Sequence, residues 1–250
     1  MDRQDPIFEK TQDISFSLCD FTERLKPSAL LCLTSDLAGE DYGERGLPHD
    51  KLLSEGYVFL VSRVRFRLRR NVRAEERIRL ITYERKIAGP FCIRDYIIED
   101  AAGETLILGR SAWILCDPKT RRILRPASFP YEIQNHEDIV LEVGEPDKLR
   151  LPDNMERAGE RKVVYSDLDG NGHVNNSVYG DIACDVLPME LFRGDITDFA
   201  INFVKEAKIG DTIALYVGED GNSRFVAGYL GESLCFECVF TFLEKNQSAV

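Results

Sequence analysis

Apolar and polar positions alternate, or apolar ones run together, in a series of short segments along this chain. Segments 57–70, 77–86, 91–99 and 105–116 are rich in β-branched and aromatic residues and predict strands. The turns between them carry Ala74-Glu-Glu76, Ala88-Gly-Pro90 and Ala102-Gly-Glu104. Ahead of this group, 14–19 reads as a short strand and 26–37 as the start of a helix. Leu30, Leu31, Leu33, Thr34 and Leu37 fall on one side of it, and Pro27 suits a first helical turn. The same order then returns. Segment 162–166 reads as a strand and 175–187 as a helix stopped by Pro188. Segments 199–206, 212–217, 224–229 and 233–243 read as strands, with Asp220-Gly-Asn222 as a hairpin turn. Between the two groups, 126–157 is polar, holds Pro126, Pro130, Pro146 and Pro152, and predicts a linker.

Each half is thus a strand, a long helix and four antiparallel strands. That order specifies an α+β unit in which a helix is wrapped by a curved antiparallel sheet. The expected division is 1–128 for the first unit, 129–157 for the linker and 158–250 for the second. Pairing two such sheets would cover one exposed edge of each.

Composition narrows the function. The 250 residues are 44 % hydrophobic and 30 % charged, ordinary for a soluble globular protein. Net charge is −11, which disfavours nucleic acid as a partner. Residues 60–125 nevertheless carry 16 Lys/Arg against 8 Asp/Glu, a local signal for docking an anionic partner. Within that stretch Arg63, Arg65, Arg67 and Arg69 alternate with Val64, Phe66 and Leu68, which puts four guanidinium groups on one strand face. A solvated sheet surface would show the same row. The acidic start, Met1 to Lys10, lacks the apolar core of a signal peptide, and no apolar run reaches membrane-spanning length. Seven scattered cysteines suit reduced thiols and a cytoplasmic setting. Cys235 and Cys238 form a C-x-x-C with no second pair and read as core residues, as does Cys184. His49 and His136 read as surface residues in a turn and the linker.

Chemistry concentrates in Tyr165-Ser-Asp-Leu-Asp-Gly-Asn-Gly-His-Val-Asn-Asn-Ser-Val-Tyr179. Asp169, Asn171 and His173 alternate with Gly170 and Gly172 just before a helix start. Such a start offers free backbone N–H groups and the positive end of a dipole, which suits a carbonyl becoming an oxyanion. A capped turn is the plain alternative, because Asp and Asn crowd turns for local reasons. Asp167, Asp169, Asn171 and Gly172 also match the opening of a calcium loop, but its twelfth position is Val178, where a bidentate Glu is needed.

Ser166-Asp-Leu-Asp-x-Asn-x-His-Val-Asn-Asn176 resembles the signature of the plant and bacterial acyl-[acyl-carrier-protein] thioesterases. Gly103-Glu-Thr105, Ser111-Ala-Trp-Ile-Leu-Cys-Asp117 and Thr120-Arg-Arg122 resemble further stretches of that family. So do Ile93-Arg-Asp95, with Ile93 where the family has Arg, and Phe203-Val-Lys-Glu-Ala207, with Ala207 where many members have Cys. The resemblance implies two hotdog domains in tandem, a fold with the layout read above. It implies hydrolysis of fatty acyl thioesters of acyl carrier protein (ACP) in fatty acid biosynthesis, by a monomer or homodimer needing neither metal nor organic cofactor. Asp169 would act as general base or nucleophile, and Glu206 would be the second carboxylate, sharing a water with it. Asn171 and His173 would orient water and thioester, and backbone N–H groups of 174–176 would stabilise the oxyanion. With Ala207 in place, no cysteine nucleophile is available there, so hydrolysis is expected to survive thiol alkylation. The Arg63–Arg69 row would dock the acidic carrier. Hydrolysis of acyl-coenzyme A, and acyl binding without catalysis, remain as alternatives.

An internal comparison lays Asp20 on Asp167, Thr22 on Asp169, Arg24 on Asn171, Lys26 on His173 and Arg70 on Glu206. On that alignment the first half lacks every candidate acid or base, which leaves one active site in the second half and assigns the first half to acyl binding.

Overall fold

The computed structural model describes residues 7–244. The start of the acidic N-terminal stretch and the last residues of the second unit lie outside these. The elements run β1 (Phe8–Asp13), α1 (Pro27–Glu44), α2 (His49–Ser54), β2 (Val58–Leu68), β3 (Arg77–Ala88), β4 (Phe91–Asp100) and β5 (Thr105–Cys116). After a long connection come β6 (Glu156–Lys162), α3 (Val178–Asp185), β7 (Ile196–Phe203), β8 (Thr212–Asp220), β9 (Ser223–Leu230) and β10 (Ser233–Phe242). All ten strands form one antiparallel sheet in the order β1-β3-β4-β5-β2-β7-β10-β9-β8-β6. The two halves mirror each other across the β2–β7 pair, registered from Arg63 opposite Asn202 to Arg67 opposite Asp198.

Pro27 opens α1 with no N–H to leave orphaned, and Gly46 ends it in the left-handed region at φ 73. Leu30, Leu31, Leu33, Leu37 and Ala38 bury its inner side. The second helix is shorter than predicted. Asn175 Oδ1 accepts the Ser177 N–H and Oγ–H, both at 2.9 Å, and that local turn delays the helix to Val178. The helices cross where Gly180 meets the Ser28 backbone; a Cβ there would lie 3.1 Å from Ser28 N. Ser28 Oγ also donates to Asp181 at 2.5 Å. One hydrophobic cluster runs through both halves.

The first strand of each half lies earlier than predicted. Segments 14–19 and 162–166 contain single turns of 3₁₀ helix, and the pairing strands precede them. In both, exposed polar side chains alternate with half-buried ones, as suits an outermost strand, so little apolar signal marks them. The linker region is pinned down along its length. Arg85 donates to Ile139 O at 2.6 Å, Arg110 pairs with Glu145 at 3.0 Å, and Phe129, Val143 and Leu149 are buried. His136, expected at the surface, is half-buried with its ring edge-on to Tyr83 at 5.7 Å.

Residues 129–133 of this segment pack on the helical side, against Tyr42, Leu47 and Leu52, and residues 142–146 then lie on the opposite sheet face, which carries the arginine row. Arg63 donates to Pro146 O at 3.5 Å, and Gly144 sits so close to Arg65 that a Cβ would lie 2.6 Å from its guanidinium. Arg67 pairs with Asp198 at 3.3 Å and Arg69 with Glu142 at 3.2 Å, each arginine about half exposed. The row occupies one face as predicted, but the chain's own linker covers part of it.

Candidate active site

One carboxylate shapes the turn after β6. Asp169 Oδ1 accepts the backbone N–H of Asn171 at 2.8 Å and of His173 at 3.2 Å, and Asn171 Nδ2 donates to Asp169 Oδ2 at 3.2 Å. Gly172 supplies φ 77 in the same turn. His173 bridges to Lys208, and Val174 N–H donates to Ala207 O at 2.9 Å. The motif therefore lies along the turn that follows β7, the turn that carries Glu206. His173 Nε2 comes to 3.5 Å from Glu206 Oε2. Asp169, Asn171, His173 and Glu206, scattered over 38 positions, thus form one connected group.

Two residues that the sequence did not single out for the site hold Glu206 in place. Arg121 reaches it from the first half and forms a direct ion pair. Arg121 itself sits at φ 61, a left-handed conformation that costs a non-glycine residue roughly 1–3 kcal/mol. Asp117 sustains that turn by accepting the Lys119 and Thr120 N–H groups, both at 2.8 Å. These bonds hold the Asp117 carboxyl below its ordinary range. From the other side, the Tyr179 hydroxyl on α3 accepts the Ala207 N–H at 3.1 Å and takes a 3.5 Å contact from Cys235 Sγ. Burial pushes the Tyr179 hydroxyl well above its usual pKa, so it stays a neutral brace.

Asp169, Asn175, Asn176 and Ser177 line one side of a cavity of about 160 Å³. The other side comes from the first half, with Leu31, Cys32, Thr34 and Ser35 of α1 above Val64 and Trp113 of the sheet. Of the backbone N–H groups expected to serve an oxyanion, two are already used. Val174 donates to Ala207 O, and Asn175 donates to Asp167 O at 2.8 Å. Among the described residues the Asn176 N–H has no such partner. Asp167, which entered the sequence reading as a calcium-loop position and as the partner of Asp20 in the internal comparison, is buried and accepts from Val164 N and Arg161 at 2.8 and 2.6 Å.

The hydrogen bonds correct the internal alignment. In the first half Asp20 Oδ1 accepts the N–H of Thr22 at 2.7 Å and of Arg24 at 3.3 Å, the pattern of Asp169 with Asn171 and His173. Asp20 N–H donates to Arg24 O, as Asp169 N–H does to His173 O, both at 2.8 Å. Arg24 bridges to Arg73 as His173 bridges to Lys208. Asp20 therefore matches Asp169, Thr22 matches Asn171, Arg24 matches His173, and Asn71 matches Glu206. The first half keeps the turn-forming acid, contrary to the sequence reading; it lacks the histidine and the glutamate. Its Arg24 instead donates to Gly194 O at 2.6 Å and pairs with Asp195 at 3.1 Å.

Two family descriptions match this chain, the acyl-ACP thioesterase N-terminal domain over residues 5–130 and the C-terminal domain over 152–230. The chain belongs to the acyl-ACP thioesterase family. Within this family it is 33 % identical over 107 residues to a chloroplastic acyl-[acyl-carrier-protein] hydrolase of Cuphea viscosissima. A palmitoyl-acyl carrier protein thioesterase of Cuphea hookeriana is 34 % identical over 107 residues. Each match covers 40 % of this chain and 26 % of the relative. A solved acyl-ACP thioesterase from Bacteroides thetaiotaomicron superposes with a TM-score of 0.87 at 23 % identity, covering 95 % of this chain and 98 % of that one. A 12:0-ACP thioesterase from Umbellularia californica gives 0.78 at 17 % identity, covering 98 % and 100 %. The tandem hotdog fold is thereby that of the acyl-ACP thioesterases.

Proposed function

We propose that this chain hydrolyses fatty acyl thioesters carried by ACP and releases free fatty acid. The observation that carries the reading is the cavity. Asp169 and Asn176, whose backbone N–H has no hydrogen-bond partner among the described residues, line one space whose other wall sets Leu31, Val61, Val64 and Trp113 beside Thr34, Ser35 and Asp36.

The geometry supports a sequence of steps. Asp169 accepts a proton from a water as its oxygen attacks the thioester carbonyl carbon. Negative charge developing on the carbonyl oxygen is met by the Asn176 N–H near the start of α3. Collapse breaks the C–S bond, and Asp169 returns the proton to the departing carrier thiol. Glu206, fixed by Arg121, orients His173, and Asn171 holds the second Asp169 oxygen. A cytoplasmic setting belongs to the same proposal; all seven cysteines are free.

The decisive variant is Asp169→Asn, which keeps an oxygen to accept the two turn N–H groups while removing the base. Turnover should fall by about 10²-fold or more, with melting unchanged. Wild-type turnover in that variant would remove Asp169 from the chemistry. Comparing one acyl group on ACP and on coenzyme A tests the carrier, and faster hydrolysis on coenzyme A would reassign the substrate.

A further inference from the structure

The cavity beside Asp169 is one of two that lie end to end along α1. The second, about 220 Å³, is lined by Ala38, Leu47, Leu52, Phe59 and Ile93, and lies wholly in the first half. Along three elements the residues change over in step. On α1, residues 31–36 face the first cavity and 35–42 the second. On β2, Val64 and Val61 belong to the first, Phe59 and Val58 to the second. On β5, Ser111 belongs to the first alone. Only Ser35 and Trp113 line both.

Each end of this groove is tied by several polar contacts, and one indole stands between them. At the far end Tyr42 donates to Glu84 at 2.5 Å, Arg45 pairs with Glu84 at 2.8 Å and Arg94 pairs with Asp41 at 2.8 Å, in a mostly buried ionic network. At the near end the motif turn is closed by the bonds of Asp169. At the junction the Trp113 indole is half-buried and donates a single hydrogen bond, to Ser111 Oγ at 2.6 Å. Ser111 Oγ lies in turn 3.0 Å from the Tyr96 hydroxyl, which fixes where the indole rests.

We propose that Trp113 is a specificity-determining residue, a partition that sets acyl-chain length by separating the polar cavity at Asp169 from the apolar cavity beyond. An acyl tail that ends before the indole leaves it in place. A longer tail enters the far cavity only by displacing the ring from Ser111. This rests on the acyl-thioester reading given above.

Trp113 is the chain's one tryptophan, so its fluorescence reports on the partition directly. Titration with hexadecanoic acid should shift the emission, and octanoic acid should leave it near the free-protein value. Trp113→Ala should raise the ratio of hexadecanoyl to octanoyl kcat/KM by about tenfold or more, the scale on which apolar pockets discriminate chain length. Adding Leu52→Phe to that variant, which refills the far cavity, should return the ratio toward the wild type. If Trp113→Ala does not fold, Trp113→Phe removes the indole N–H and should move the ratio the same way. An unchanged ratio, or saturable hexadecanoic acid binding with no change in emission, overturns the partition. The binding arm needs no hydrolysis. A protein that hydrolyses no thioester yet shows the fluorescence difference would sink the proposed activity and leave the partition standing.

Discussion

Arg121 pairs a backbone cost with a functional contact. Its φ of 61 suits glycine, yet an arginine stands there and meets Glu206. Arg121→Gly and Arg121→Ala should lose turnover to a similar degree, since both free Glu206. They should differ in stability, with the glycine variant more stable by about 1 kcal/mol, because only alanine retains the left-handed penalty. Equal melting of the two would show that the turn stores no strain. Cys32 changes the expectation for thiols. It is exposed and lines the cavity with Asp169, so alkylating it should obstruct the site although no thiol takes part in the chemistry. Partial burial and the neighbouring Asp36 carboxylate push its pKa above the usual 9.0. The thiolate is the reactive form, so the rate of inactivation should keep rising as pH passes 9.0. Cys32→Ser should hydrolyse normally and resist the reagent; inactivation of that variant at the wild-type rate would place the sensitive thiol elsewhere. The grouping of Asp169, Asn171, His173 and Glu206 was legible in the sequence because they cluster or match a known pattern; that Asp169 alone of the four lines the cavity was not. Arg121 was not legible in this role, because 85 positions separate it from its partner. The pairing of Asp20 with Asp167 went astray because both follow a small side chain, a cue that says nothing of which backbone N–H groups the carboxylate collects.

The inner strands of both halves and helix α1 were legible because burial on one or both faces writes a strong apolar pattern. Strands β1 and β6 were not, since an outermost strand facing water leaves polar residues at nearly every position. The arginine row was legible as a face, but its covering was not, because the linker's fit depends on backbone carbonyls. That covering sharpens the docking test. Only Arg67 and Arg69 present half their surface, so Arg67→Glu with Arg69→Glu is the informative reversal. If the carrier docks there, KM for acyl-ACP should rise with kcat little changed, as for a contact made equally in ground and transition states. The rise should fade with added salt, because exposed charges are screened beyond about 8 Å at physiological ionic strength. Unaltered KM at low salt would move docking to Arg121, Arg122 and Arg125.

Both halves share one sheet and one core, and the linker is bonded to the face beneath it. Cleavage at the exposed Val140 should therefore leave the two fragments together. A nicked sample should elute with the intact chain on size exclusion without denaturant and keep its activity. Separation of the fragments would mean that the β2–β7 pair and shared core are weaker than the continuous linker suggests. The match of Asp20 with Asp169 has a consequence for inheritance. Were the two units separate identical subunits, any change at one mouth would be copied at the other. On a single polypeptide each mouth mutates alone. Arg24 could become a plug and α1 could become the wall of the opposite site without disturbing His173, and a further change on either side would again fall on only one.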